Sequence, residues 1–329
     1  MGAGSWGTTF GQVLSDAGTE AVVCCRRPEL ARVINETHEN PGYLPGVPLT
    51  ADLRAEADPA AALDRADLVI FAVPAQSLRE NLRHWAPLLP GGATFVSLIK
   101  GIELDTCKRM SEVIAEVLDV PAGRIGVVSG PNLAREIAQR QYAASVVACP
   151  DEGAAVSLQQ ACHTPYFRPY TNTDVVGCEL GGAVKNVIAL AVGIAVAMDL
   201  GDNTRAMLIT RGLAEIARLG AALGASPQTF AGLAGLGDLV ATCASPLSRN
   251  RTFGENVGHG MSVADASSMS GQIAEGVKSS EAVLALARKH GVEMPITEVV
   301  AAVVHDGLPV GEAAIMLASR SAKPEWYGS

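Results

Sequence analysis

Apolar residues in the first half of the chain gather in short, nearly unbroken runs. Ala21–Cys25 (AVVCC), Asp67–Pro74 (DLVIFAVP), Ala93–Ile99 (ATFVSLI), Ile125–Val128 (IGVV) and Ser145–Cys149 (SVVAC) show no alternation with polar positions. Runs of this kind read as strands covered on both faces. Helical spacing appears between them, over Thr8–Ala17, Pro28–Glu36, Ser77–Leu89, Thr106–Leu118 and Glu152–Cys162, with Pro28 suited to a first helical turn. The alternation predicts a parallel, doubly wound sheet with right-handed crossovers. After Tyr166–Asp174 (YFRPYTNTD) no further convincing strand appears. Val175–Leu200, Thr204–Leu223, Lys278–His290 and Ile296–His305 read as helices, with Gly291 and Pro295 as punctuation. The change falls near residue 173, so 1–173 reads as an α/β domain and 174–329 as an all-α domain. No Ser/Gly linker or internal repeat separates them, and the two should pack closely.

A glycine pattern sharpens the first domain. Gly2-Ala3-Gly4-Ser5-Trp6-Gly7 stands directly ahead of the first predicted helix. In a dinucleotide fingerprint the first glycine makes the tight turn, the second lets the backbone approach a pyrophosphate, and the third lets helix and strand pack closely. The helix N-terminus then offers N–H groups to the anion. Followed by repeated β–α units, Gly2, Gly4 and Gly7 indicate a Rossmann-type domain. The next run ends in Arg26 and Arg27, with no acid until Glu29, where an NAD-selective site would carry Asp or Glu for the ribose 2′-hydroxyl. Guanidinium groups hold a phosphate in bidentate fashion, so NADPH is the preferred cofactor expected here, with NADH also usable. The bland alternative leaves these arginines facing solvent or stacking on adenine. The first glycine should close a first β-strand, yet only Met1 precedes it. That strand lies mid-sheet, so its loss removes several hydrogen bonds worth ~1 kcal/mol each. The expectation is a natural start several residues upstream, or a chain weakened in stability and NADPH affinity.

Composition narrows the setting. At 329 residues the chain fits two domains of ~150 residues. Its 48% hydrophobic content supplies a core, and a net charge of −9 argues against nucleic acid as a partner. Val187–Met198 is an apolar run of twelve residues, short of the ~20 that a membrane span needs, and reads as a core helix. The cysteines number seven, with no C-x-x-C spacing, and read as free thiols in a reducing cytoplasm. The six histidines show no metal-ligand spacing, so neither a metal nor histidine catalysis is expected.

Three blocks of the second half set polar groups among glycines and apolar residues: Glu179–Asn186 (ELGGAVKN), Gly235–Asp238 (GLGD) and Ser245–Asn250 (SPLSRN). Burial lowers a lysine's pKa, which is how a lysine becomes a general acid or base, so Lys185 is the candidate. The alternative is a lysine snorkelling from a helix start. With GAGSWGT (Gly2–Thr8), FAVPAQ (Phe71–Gln76), SLIKGIE (Ser97–Glu103), SGPNLAREI (Ser129–Ile137), YTNTDVVGCELGGAVKNVIALAVGI (Tyr170–Ile194), LAGLGDLVATC (Leu233–Cys243) and AEG (Ala274–Gly276), these blocks span nearly the whole chain. The sequence resembles NAD(P)-dependent sn-glycerol-3-phosphate dehydrogenases of the bacterial biosynthetic type.

The resemblance implies reversible reduction of dihydroxyacetone phosphate to sn-glycerol 3-phosphate, for phospholipid synthesis, by a cytoplasmic enzyme of a family that often forms a homodimer. It implies that Lys185 is the proton donor and acceptor. It implies that Lys100 touches substrate and cofactor, and that Asp238 fixes the lysines or the substrate hydroxyl. Gly130 and Asn132 become substrate contacts, and Ser248, Arg249 and Asn250 the phosphate corner, with Arg249 also reaching the cofactor. Ser5, Trp6, Ala134 and Glu275 become cofactor contacts. Against these stand a capping role for Asp238 or Asn250, a packing role for Trp6, and a plain turn at Glu275–Gly276. Two rival readings remain. A β-hydroxyacid or 6-phosphogluconate-type dehydrogenase places Asn four residues after its lysine, where this chain has Ala189. A non-catalytic nucleotide sensor would not need Lys100, Lys185, Asp238 and Arg249 together.

Overall fold

The structure, a computed structural model, describes residues 1–269, 274–321 and 324–325. Seven strands form among them: β1 (Val22–Cys24), β2 (Arg54–Glu56), β3 (Leu68–Phe71), β4 (Thr94–Ser97), β5 (Ile125–Ser129), β6 (Ala143–Ala148) and β7 (Phe167–Asn172). They make two sheets, β1-β2 and β3-β4-β5-β6-β7. No strand forms ahead of Gly2, and the division falls there. Met1 and Gly2 run along the seam: the Met1 amino group donates to the Ile70 carbonyl at 2.6 Å and the Ala72 N–H to the Met1 carbonyl at 2.9 Å. On the other side the Gly2 N–H reaches the Cys24 carbonyl at 3.1 Å.

The all-parallel expectation is corrected at one pair. β5 and β6 are antiparallel, with Val127 opposite Ala148 and Ser129 opposite Val146. The link between them holds only the helix Ala134–Ala138, five residues or about 7.5 Å long. That is too short to carry the chain back along the sheet, so β6 starts beside the end of β5 and returns. β2 had no sequence signal because only Ala55 of its three residues is buried. Pro87 lies within a 3₁₀ turn that ends the Ser77–Leu89 prediction early, leaving an α-helix over Leu78–Trp85. The predicted Thr106 helix starts at Met110, after Cys107 in left-handed backbone at φ 56°.

The second half is helical among the described residues. Val175–Ala197 is its axis, buried from Gly177 to Ala195. The Asp174 carboxylate caps it by accepting from the Gly177 N–H at 2.9 Å, and also receives the Ser226 N–H and the Thr229 hydroxyl. Helices Asp202–Ala222, Asp238–Ala244, Arg249–Gly258 and Glu275–Lys289 pack around it. At 23 residues and mean hydropathy 1.9, this helix is long and apolar enough to cross a membrane. Length therefore does not exclude a span, and burial is what makes it a core helix: 89% of its apolar window lies inside the protein. All seven thiols are free, six of them buried and Cys107 half-buried.

Candidate active site

The glycine turn has the shape a pyrophosphate requires. Gly2 sits at φ 114°, and a Cβ there would lie 2.6 Å from the Ala72 carbonyl oxygen. A Cβ on Gly7 would collide with the Gly2 carbonyl oxygen, whereas one on Gly4 would meet nothing within 4 Å. The turn is thus closed behind Gly2 and Gly7 and open at Gly4. The helix begins at Ser5, so the last three fingerprint residues form its first turn, and no side chain caps it. The open N-terminus fits an anion. Ser5 donates its hydroxyl to the Tyr43 carbonyl at 3.0 Å. Trp6 packs its ring against Phe10 and Phe167, and its buried Nε1 finds no partner in the protein. Ala134 accepts the Thr9 hydroxyl, which ties its helix to the fingerprint helix. Arg26 and Arg27 are exposed just past β1.

The second constellation forms where the halves meet. Lys100 follows β4 and reaches across to Asp238 Oδ2 at 2.6 Å, while donating to the Gly130 carbonyl at 2.9 Å. Lys185, in the middle of the core helix and not at its start, donates to Asp238 Oδ1 and to Thr242 Oγ1. Asp238 is 1% exposed, so its charge depends on these two ammonium groups. Its carboxylate holds lysines and does not cap the helix that it opens. Two cations on one carboxylate leave the cluster net positive. Burial draws the Lys100 ammonium down to about 8; Asp238 opposes that fall and Lys185 adds to it.

Around this cluster the structure gathers most remaining candidates. Asn132 buries both polar atoms of its amide without a protein partner, as a group reserved for a ligand would. Glu275 packs against Gly101, next to Lys100. Burial raises its pKa, and the nearby Arg249 and Lys278 oppose that rise. Arg249 is exposed in the first turn of its helix, while Ser248 caps that helix by accepting from the Arg251 N–H at 3.3 Å. Asn250 spends its amide inside the protein, donating to Asn186 Oδ1 at 3.0 Å and accepting from the Gly276 N–H at 2.9 Å. It therefore braces three helices in this structure.

Known proteins are similar to this chain over nearly its whole length. The family description "NAD-dependent glycerol-3-phosphate dehydrogenase N-terminus" matches residues 1–155, and the corresponding C-terminus description matches 174–315. The chain belongs to the NAD-dependent glycerol-3-phosphate dehydrogenase family. A glycerol-3-phosphate dehydrogenase [NAD(P)+] of Thermobifida fusca is 63% identical over 329 residues, covering 100% of this chain and 98% of that one. One from Streptomyces coelicolor is 64% identical over 325 residues, covering 99% and 97%. The crystal structure of glycerol-3-phosphate dehydrogenase (gpsA) from Coxiella burnetii superposes with a TM-score of 0.92 at 36% identity, covering 97% of each chain.

Membership of this dehydrogenase family sets aside the β-hydroxyacid and sensor readings. Three residues of the site carried no assignment in the sequence. Thr242 lies one turn after Asp238, and an Asp-x-x-x-Thr spacing on a helix was available as a signal. Asn186 follows Lys185 inside a block already singled out. Ser129 ends β5 with a buried hydroxyl that has no partner in the protein. Nothing in its local pattern marks it, since only the fold brings it to Lys100.

Proposed function

We propose that the chain reduces dihydroxyacetone phosphate to sn-glycerol 3-phosphate, reversibly, with Lys185 as general acid. The observation that carries this reading is the pair of lysine ammonium groups on the two oxygens of buried Asp238. In reduction, Lys185 Nζ gives its proton to the carbonyl oxygen, and Asp238 with Thr242 keeps Nζ aimed. Lys100 brings a second ammonium to the same place and stabilises the developing alkoxide. In reverse, the neutral Lys185 amine takes the hydroxyl proton. A dihydronicotinamide, when bound, would supply the hydride. Gly4 and the open turn at Ser5 would hold its pyrophosphate, and Asn132 would offer an amide to the substrate.

Arg249, on the first turn of its helix, faces the substrate phosphate, where guanidinium charge and helix N-terminus add. Arg26 and Arg27 at the exposed end of β1 support a preference for NADPH over NADH. The product feeds phospholipid synthesis, and the free thiols support a reducing, cytoplasmic setting.

The test is a substrate panel of dihydroxyacetone phosphate, glyceraldehyde 3-phosphate and 2-keto acids, each with NADPH and NADH. Oxidation of reduced nicotinamide is expected with dihydroxyacetone phosphate, with the higher kcat/KM for NADPH. No oxidation by well-folded protein, or turnover of the keto acids alone, would overturn the assignment.

A further inference from the structure

The core helix carries two adjacent glycines, Gly181 and Gly182, one turn ahead of Lys185. Glycine weakens a helix interior relative to alanine, and neither position has the positive φ that only glycine takes easily. Their surroundings give another reason for them. A Cβ on Gly181 would strike the Ala234 carbonyl oxygen and lie 3.5 Å from Gly235 Cα. Those residues belong to the π-turn Leu233–Gly237, which leads directly into Asp238. A Cβ on Gly182 would lie 3.0 Å from Ser129 Oγ, and 3.2 and 3.4 Å from Lys100 Cγ and Cδ. Successive helix positions point about 100° apart, so the two glycines open the helix to two different neighbours. One neighbour brings Asp238; the other brings Lys100.

Other contacts fix the height of the helix against the first domain. Glu179 accepts from Arg109 Nη1 at 2.6 Å and from the Ser111 N–H and hydroxyl at 2.7 and 2.6 Å. With the helix held there, the remaining variable is how closely its neighbours approach.

We propose that Gly181 and Gly182 are positioning residues for the reaction, Gly181 setting the depth of Asp238 and Gly182 the depth of Lys100 against Lys185. This rests on the reading that Lys100, Lys185 and Asp238 carry the chemistry. A methyl at 182 is tighter than its neighbours allow, so the Lys100 stem shifts by tenths of an ångström and its hold on Asp238 loosens. Gly182 touches no reacting atom and acts through Lys100.

The test is Gly182→Ala, measured for kcat, for the pH dependence of reduction, for NADPH affinity and for the titration of the Lys100 ammonium by ¹⁵N NMR. The account expects kcat to fall by ~10-fold or more, since small misplacements at a reacting centre have large effects. It also expects the Lys100 titration to move while NADPH affinity stays within about twofold, because the nucleotide turn is untouched. Adding Ser129→Ala, which removes the atom nearest the new methyl, should recover part of the loss. If Gly182→Ala does not fold, Ser129→Thr fills the same gap from the strand side and should give the same signature. Parental kcat with an unmoved Lys100 titration overturns the proposal. So does a fall in kcat that follows lost thermal stability while the titration stays put. The titration is read without turnover, so it decides the positioning role even if the parent reduces none of the panel substrates.

Discussion

A carboxylate as deeply buried as Asp238 needs compensating charge, and here each oxygen meets a different lysine. The arrangement gives the two lysines unequal positions. Lys185 is held by Asp238 and Thr242 inside the helical half, whereas Lys100 arrives from the sheet and also holds the Gly130 carbonyl. Burial draws Lys100 down to about 8, so its ammonium persists at neutral pH and is lost just above it. The cation facing the developing alkoxide therefore disappears as pH rises through that value. The expected outcome is a kcat/KM for reduction that falls above about pH 8, read from a pH–rate profile. A profile that stays flat well beyond this point would remove Lys100 from the chemistry. Lys185 stood out in the sequence as a charged residue among apolar neighbours, whereas Lys100 was marked only by a block that resembles a known family. Thr242 and Ser129 did not stand out, because a hydroxyl is unremarkable until the fold aims it.

Among elements, those that the sequence foretold best have burial that follows their own period. β5 is buried at every position, and helix Glu152–Cys162, buried at Ala155, Leu158 and Cys162, starts and ends where its pattern did. β2, with one buried residue, and the reversal of β6, set by the length of its connection, left no mark in hydropathy. The helix Pro295–His305 shows a further element-level feature. The Glu215 carboxylate, from helix Asp202–Ala222, accepts from the Ile296 and Thr297 N–H groups at 2.6 and 3.2 Å and from the Thr297 hydroxyl at 3.1 Å. Burial nevertheless lifts its pKa to about 7 from the ordinary 4.5, so the folded protein holds this proton where the unfolded chain has released it. Stability from this group is full below pH 4.5 and is lost as pH rises to about 7. The loss is of the order of 3 kcal/mol. Denaturant titrations across that range should show the slope in the parent and a flatter dependence in Glu215→Gln. An equal slope in both would assign it to other groups.

Across the whole molecule, the site exists only because the two halves meet. The nucleotide turn and Lys100 come from the sheet side, and Lys185, Asp238 and Arg249 from the helices. Arg109, Ser111 and Glu179 pin the halves together beside them. The sequence announced two domains through the change from apolar runs to helical spacing. It announced their joint chemistry only through blocks that resemble a known family, since no local pattern records that Lys100 and Asp238, 138 positions apart, will touch. The central claim is that Lys185 moves the proton. Steady-state reduction of dihydroxyacetone phosphate by Lys185→Ala, with NADPH binding measured on the same protein, tests it most directly. The account expects kcat to fall by ~10²–10⁴-fold with NADPH affinity nearly unchanged. A variant that binds NADPH and keeps a near-parental kcat would contradict it.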